Sequence, residues 1–304
     1  MSQNMSAIIS KTGIPEFLPA GSFARYAELD WDRAAYNDVN EEGRRRKIIR
    51  TINRTDKSPI SVVHNFQIGT INSSSGNGPT LHAHDYPEIF IPVQSGYRVD
   101  YGPKGQHSAE LGLYDTYSIP LNVMRQFEAL ESFPNESQMI SIFDTSRNDA
   151  REGITITSEI AALDKAQGQD QGYLINDESY DVSPEVVQVR HIARFKDLKI
   201  FEKQGMKVRH VISSLNPSAS LREIHTIEVD FLELSPGSIS QTYESNCREV
   251  FVSLEGEPSM RWNGKLISLN RLDTISVAAN DLRQIQAAPD APALLLRIRD
   301  TTNP

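Results

Sequence analysis

One sixteen-residue stretch of this chain has a recognisable second copy further along. DTYSIPLNVMRQFEAL (Asp115 to Leu130) aligns without gaps to DTISVAANDLRQIQAA (Asp273 to Ala288), and seven of the sixteen positions are identical. Upstream, PEIFIPVQSG matches REVFVSLEG; downstream, SIFDTS lies opposite RIRDTT. The shared polar positions, Asn122/Asn280 and Arg125-Gln126/Arg283-Gln284, are not what two unrelated β segments keep by chance. A chain of 304 residues with such a repeat is two copies of one unit, each of ordinary domain size.

The unit is made of strands. Short runs rich in Val, Ile, Phe and Tyr, such as SVVHNFQIGTI, EIFIPV and YRVDYG, alternate with Gly, Pro, Asn and Ser clusters. That texture predicts an all-β fold of sandwich or barrel type. It runs from Ile48 to about residue 147, and returns from about 205 to the end in VRHVISSL, TIEVDFLEL, EVFVSLEG and LLLRI. Residues 1–47 read as an N-terminal arm, with a short helix expected near Trp31 to Tyr36. Residues 148–204 read as a connector in which Ser158 to Gln167 predicts a helix with Ser at its N-cap. A net charge of −9 argues against nucleic-acid binding, which needs a basic surface. The run Arg44 to Lys47 follows Glu41-Glu42 and reads as a solvated or subunit-facing segment. A single cysteine, Cys247, excludes an internal disulfide and suits a reducing compartment. There is no long apolar run for a membrane span or signal peptide, so a cytoplasmic protein is expected.

The first block carries Gly76, five residues, His82, Ala83, His84, three residues, and Glu88. This resembles the first cupin motif, G-x5-H-x-H-x3-4-E-x6-G, except that seven residues separate Glu88 from Gly96. In the second block Gly237, Tyr243, Ser245, Glu249 and Gly256 keep the spacing throughout, without either histidine. The second motif, G-x5-P-x-G-x2-H-x3-N, falls on Tyr114, Pro120, Asn122, Arg125 and Ala129, and again on Leu272, Ala278, Asn280, Arg283 and Ala287. The resemblance implies two tandem jelly-roll β-barrels, a bicupin, with a metal site in the first and a degenerate second barrel.

On a strand, His82 and His84 leave from one face, and Glu88 has the same parity. Two imidazoles and a carboxylate suit a divalent metal: Fe(II) first, with Mn(II), Ni(II), Co(II) or Zn(II) as alternatives. The fourth ligand of the family, a histidine, is replaced by Arg125, which cannot ligate. The site is then three-coordinate in protein ligands, filled in by Gln126 or His107, or empty. Alternation along Arg125, Phe127 and Ala129 turns Arg125 inward. There it either binds an anionic substrate group or pairs with Glu88, as Arg283 would with Glu249. His64, His191, His210 and His225 have no motif context and read as structural.

Resemblance to gentisate- and quercetin-dioxygenase-type bicupins implies a mononuclear non-haem Fe(II) oxidoreductase, a dioxygenase that cleaves a C–C bond of a small oxygenated aromatic or diketone-like substrate, with Arg125 as the catalytic residue holding it. A non-redox isomerase, lyase or hydrolase, and a non-catalytic small-molecule binder, are the alternatives. A homodimer is expected, since the arm needs something to pack against.

Overall fold

The computed structural model describes residues 17–30, 47–53, 58–73, 75, 78–130, 137–145, 153–166, 173–178, 180–223 and 225–301. The helix expected near Trp31, Gly76, and all of the basic run but Lys47 lie outside these residues.

Each block folds as expected, into a barrel of two antiparallel sheets. In the first, the large sheet runs in the order Ile192–Ala193, Thr116–Ile119, Glu88–Gln94, Ser137–Asp144, Phe66–Ser73, Lys47–Ile52. The smaller sheet is His107–Leu111, Tyr97–Tyr101, Arg125–Ala129. The second barrel repeats this strand for strand. Its large sheet is Phe23–Ala24, Thr274–Val277, Glu249–Glu255, Ala293–Asp300, Ile227–Leu234, Met206–Ile212, with Phe201–Lys203 added at the edge. Its small sheet is Lys265–Ser268, Ser259–Trp262, Arg283–Gln286.

The runs EIFIPV and EVFVSL lack polar alternation because both of their faces are buried. Phe90 points into the first barrel, where its ring meets Phe127 at 5.3 Å. Ile89, Ile91 and Val93 point the other way, into a cluster shared with Val250, Val252 and Leu254 of the second barrel. The two large sheets therefore pack face to face, and each such aliphatic side chain contributes roughly 1.5–3 kcal/mol by leaving water.

The repeat extends further than the sequence reading took it. Phe23–Ala24 of the arm pairs with Ile275 and Thr274 of the second barrel. Ile192–Ala193 of the connector pairs with Tyr117 and Thr116 of the first. Both are followed by an arginine and a 3-10 turn, Tyr26–Glu28 or Phe195–Asp197. Arg25 lies 2.5 Å from Asp273, and Arg194 lies 2.7 Å from Asp115. FARYAEL and IARFKDL are thus the leading segments of the two repeat units, each laid on the other unit's barrel. Phe17 and Leu18 also pack on the second barrel's core. The described part of the arm finds its partner within its own chain, which removes the reason given for a dimer as far as these residues are concerned.

The exchange is locked by a second reciprocal pair of contacts. His225 of the second unit reaches Ser118 of the first, Nε2 to Oγ 2.8 Å, with Asp144 Oδ2 3.6 Å from its Nδ1. His64 of the first unit reaches Ser276 of the second at 3.2 Å. Asp144 accepts the backbone N–H of Thr226, and Asp300 that of Asn65. In the connector, the predicted helix forms over Ser158–Ala166. Its cap is Thr157, whose hydroxyl accepts the N–H of Ile160, while Ser158 is its first residue.

Candidate functional site

In the first barrel the candidate residues stand on three neighbouring segments. His84 ends the short strand Ala83–His84, Glu88 opens the strand Glu88–Gln94, and Arg125 opens Arg125–Ala129. His82 and Arg125 are tied together by both backbone hydrogen bonds, 3.1 and 2.7 Å. Burial alternates along Arg125–Ala129, with Arg125, Phe127 and Ala129 inside and Gln126 and Glu128 half-buried. Arg125 is 1% exposed. Its Nε donates to Glu88 Oε2 at 3.2 Å, its Nη2 donates to the same oxygen, and its Nη1 donates to the carbonyl of His82 at 3.1 Å. Ser141 donates to the other Glu88 oxygen at 3.0 Å. Burial pushes the Glu88 carboxyl up and the Arg125 guanidinium down. The two-pronged contact opposes both shifts, and a guanidinium keeps its proton in proteins, so the pair is charged.

The left-handed backbone positions confirm the register of both motifs. Tyr114, Asn122, Leu272 and Asn280, which stand where the second motif has glycine, have φ of 63°, 57°, 65° and 62°. The turn after Glu88 is also regular. Its left-handed residue is Ser95 (φ 63°), at the same spacing from Glu88 as Gly256 (φ 82°) from Glu249. The extra residue before Gly96 is therefore no departure, since Ser95 does the work of the motif's glycine.

The same architecture recurs in known structures. Oxalate decarboxylase of Bacillus subtilis superposes with a TM-score of 0.65 at 15% identity, over 93% of this chain and 78% of that one. Oxalate decarboxylase of Lactobacillus farciminis, solved as a formate complex, gives 0.64 at 14% identity, over 93% and 87%. No protein-family profile matches the chain, and no curated protein does. The chain has the bicupin fold.

Within that bicupin, the three sequence-predicted ligands meet in part. His82 Nδ1 lies 2.6 Å from the carbonyl of Thr80, which can only accept, so the ring proton sits on Nδ1 and the lone pair on Nε2. His84 is buried among His82, Tyr86 and Phe143, with ring centroids at 5.1, 4.6 and 5.7 Å. Its Nε2 is 3.8 Å from Glu88 Oε2, and its Nδ1 has no hydrogen bond. By chemistry this donor set fits a divalent ion. As arranged, however, no three His, Cys, Asp or Glu among the described residues converge into a cage. The reason is visible: the Glu88 oxygen that faces His84 is the one Arg125 holds.

The suggested substitutes stand elsewhere. Gln126 donates to Asp100, and His107 sits 3.0 Å from Asp181 on an outer strand. A 450 Å³ cavity between Gln126, Glu128 and the helix Ser158–Ala166 is not lined by either histidine of the motif.

The second barrel keeps Arg283 beside Glu249, Nη1 to Oε2 3.3 Å. Around them is a cluster that motif reading missed. Arg297 donates to Asp230 at 2.6 and 3.1 Å and lies 3.4 Å from Glu249, while His210 holds the other Asp230 oxygen at 2.6 Å. Burial pushes Asp230 up, but Arg297, then His210 and Arg299, outweigh it and hold the carboxyl well below its usual range. A signal existed: Asp230 stands between Val229 and Phe231, and Arg297 between Leu296 and Ile298, charges set inside apolar runs. Among the described residues no helix is long and apolar enough to cross a membrane.

Proposed function

We propose that this bicupin is a metal-dependent enzyme whose site is the group His82, His84, Glu88 and Arg125 in the first barrel, and that it acts on a small oxygenated anion. The observation that carries the proposal is the asymmetry between repeats. Both keep the Arg–Glu pair, but the first alone adds two histidines, one set by Thr80 to present Nε2 and one beside Glu88. The scaffold stands without those histidines in the second barrel, so folding does not require them. The likeness to two oxalate decarboxylases, enzymes named for a small dicarboxylate, supports the substrate class.

His82, His84 and Glu88 would hold the ion, which when bound supplies Lewis-acid charge stabilisation or, as iron, oxygen chemistry. The chain's own contribution is Arg125. Once released from Glu88 it is a buried guanidinium beside the two histidines, able to fix a carboxylate or enolate oxygen by a two-pronged contact. A dioxygenase reading is favoured by one feature: the fourth ligand position is an arginine, which leaves the two-histidine, one-carboxylate set with open positions.

The test is elemental analysis of protein purified without chelator, followed by oxygen-electrode and decarboxylation assays on oxalate, catechols and β-diketones. One metal per chain, lost in His82→Ala or His84→Ala, supports the site. Oxygen uptake with Fe(II) supports the dioxygenase; turnover without it supports the non-redox enzyme. Metal-free protein that takes up no Fe(II), Mn(II) or Zn(II) on reconstitution sinks the proposal.

A further inference from the structure

Ser118 and Ser276 hold the same place in the two repeats. The backbone N–H of Ser118 donates to His191 and that of Ser276 to Ser22, each at 2.8 Å, and each hydroxyl meets the histidine of the other unit. What stands beside the serine differs. In the second repeat it is a cation of the chain itself: Nη1 of Arg248 donates to Ser276 Oγ at 3.4 Å. In the first repeat Pro87 takes the position of Arg248, directly before the strand's glutamate. Proline is short and uncharged, and beside Ser118 lies a cavity of 290 Å³ that Pro87 helps to line.

The polar groups of this cavity are acceptors. His191 lines it and is 9% exposed. Burial lowers the pKa of its ring against the opposing pull of Glu223, so the ring is neutral. Its Nδ1 lies 3.0 Å from the carbonyl of Ser118, which can only accept, so Nε2 carries the lone pair, and no described residue bonds it. The half-buried carboxylate of Glu223 lines the same space and forms no ion pair with a described residue. His225 has the Asp144 carboxylate at its Nδ1, which places the ring proton there. Its Nε2 then accepts the Ser118 hydroxyl and leaves the Ser118 Oγ lone pairs to the cavity. Counted from the matching residues, the second repeat has Val62 in place of Glu223 and Ser22 in place of His191. The repeat without an internal cation is thus the one that carries the extra carboxylate and imidazole. We infer that this cavity binds the ammonium group of a short alkyl amine, with Glu223, His191 and Ser118 as its acceptors. A primary ammonium has three donors, one for each. Ile119, Pro120 and Leu121 supply walls for the hydrocarbon. Arg190, whose charge reaches the His191 ring, is exposed and does not line the cavity. The volume equals about ten waters at roughly 30 Å³ each, room for an amine of roughly four to six carbons. None of His82, His84, Glu88 and Arg125 lines this space, so the site is separate from the proposed metal centre.

The experiment is ligand-observed NMR of n-butylammonium binding to the full chain at pH 8, in excess chelator and at constant ionic strength set with sodium chloride. Saturable binding is expected, at least tenfold tighter than that of butyrate, which has the same apolar part and the opposite charge. It should be unchanged in His84→Ala and weakened at least tenfold in Glu223→Gln. Pro87→Arg should also weaken it at least tenfold, because it installs the cation that the second repeat already holds at this place. Glu223 is only half-buried and takes part in no described ion pair, so its variant stays informative even where Pro87→Arg does not fold. Absence of saturable binding to the folded chain overturns the inference. So does butylammonium binding that survives Glu223→Gln, or that butyrate matches, because either result removes the ammonium from these acceptors.

Discussion

Arg125 carries most of the information in the first site. It stands where a fourth ligand is expected, and it neutralises the carboxylate that a metal would need. Replacing it by methionine leaves Glu88 buried among apolar groups with only Ser141 to bond it. Breaking one side of a buried pair costs about 3–5 kcal/mol. Arg125→Met should therefore lower stability by an amount in that range at neutral pH. With the guanidinium gone, burial governs Glu88 and raises its pKa above the unfolded value. A raised carboxyl loses stability as pH climbs past the unfolded value, so the penalty should shrink on acidification. Adding Glu88→Gln should recover much of the loss at pH 7, since the buried charge is removed with its partner. Urea midpoints of the single and double variants at pH 5 and 7.5 check this. A single variant equally stable to the parent at both values would place Arg125 outside the barrel's interior balance. Sequence parity alone turned Arg125 inward, but left two roles open. The pairing with Glu88 needed a distance, which no spacing rule supplies.

At the scale of strands and turns, the repeat made the two barrels and their matching strands legible. Ser95 shows the limit. It adopts a left-handed φ of 63°, which costs an L-residue about 1–2 kcal/mol, and its buried hydroxyl lacks a partner. Sequence reading passed over it because Gly96, next door, looked like the motif's glycine. Ser95→Gly should raise stability by about 1 kcal/mol, the relief of strain and of a stranded hydroxyl exceeding glycine's extra unfolded-state entropy. The reciprocal change at the matching position, Gly256→Ser, should do the reverse and more severely, because a Cβ there would fall 1.7 Å from the carbonyl oxygen of Pro292. Chemical denaturation of both variants reads the two signs directly; equal signs would mean that the two turns are not equivalent. The connector shows a different limit. Its helix was legible although the expected cap, Ser158, proved to be the first helical residue and Thr157 the cap, whereas IARFKDL was not recognised as a partner of FARYAEL, because only Ala, Arg and Leu are identical and neither run is long enough to look like a strand.

Across the whole molecule, the two barrels are joined by exchange. Each unit's leading segment closes the sheet of the other, and each sends a histidine into the other's strand, His225 to Ser118 and His64 to Ser276. The Ser–His–Asp order at Ser118, His225 and Asp144 is that of a nucleophile relay, yet the Ser–His contact recurs in the other repeat, where it ties strands of different barrels. It is therefore a clasp first. Its strength must depend on acid. Burial, helped by the charge of Arg248, pulls the His64 pKa down to about 3 from 6.5. The folded chain holds that ring neutral, while the unfolded chain protonates it below 6.5. Protons then bind the unfolded state preferentially, and stability rises with pH across this interval. The contribution is complete above about 6.5 and is lost between there and about 3, at up to roughly 1.4 kcal/mol per pH unit. Asp144 acts in the same direction at lower pH. Burial would push it up, but the His225 contact and the Thr226 hydrogen bonds outweigh that and hold it below its usual value, so its contribution disappears as it is protonated. His64→Gln keeps a side chain able to reach Ser276 and removes the titration. Its melting temperature should therefore fall less steeply than the parent's between pH 7 and 4.5 in a scanning-calorimetry series. Parallel curves for the two proteins would show that the acid sensitivity of the fold lies elsewhere than in this clasp.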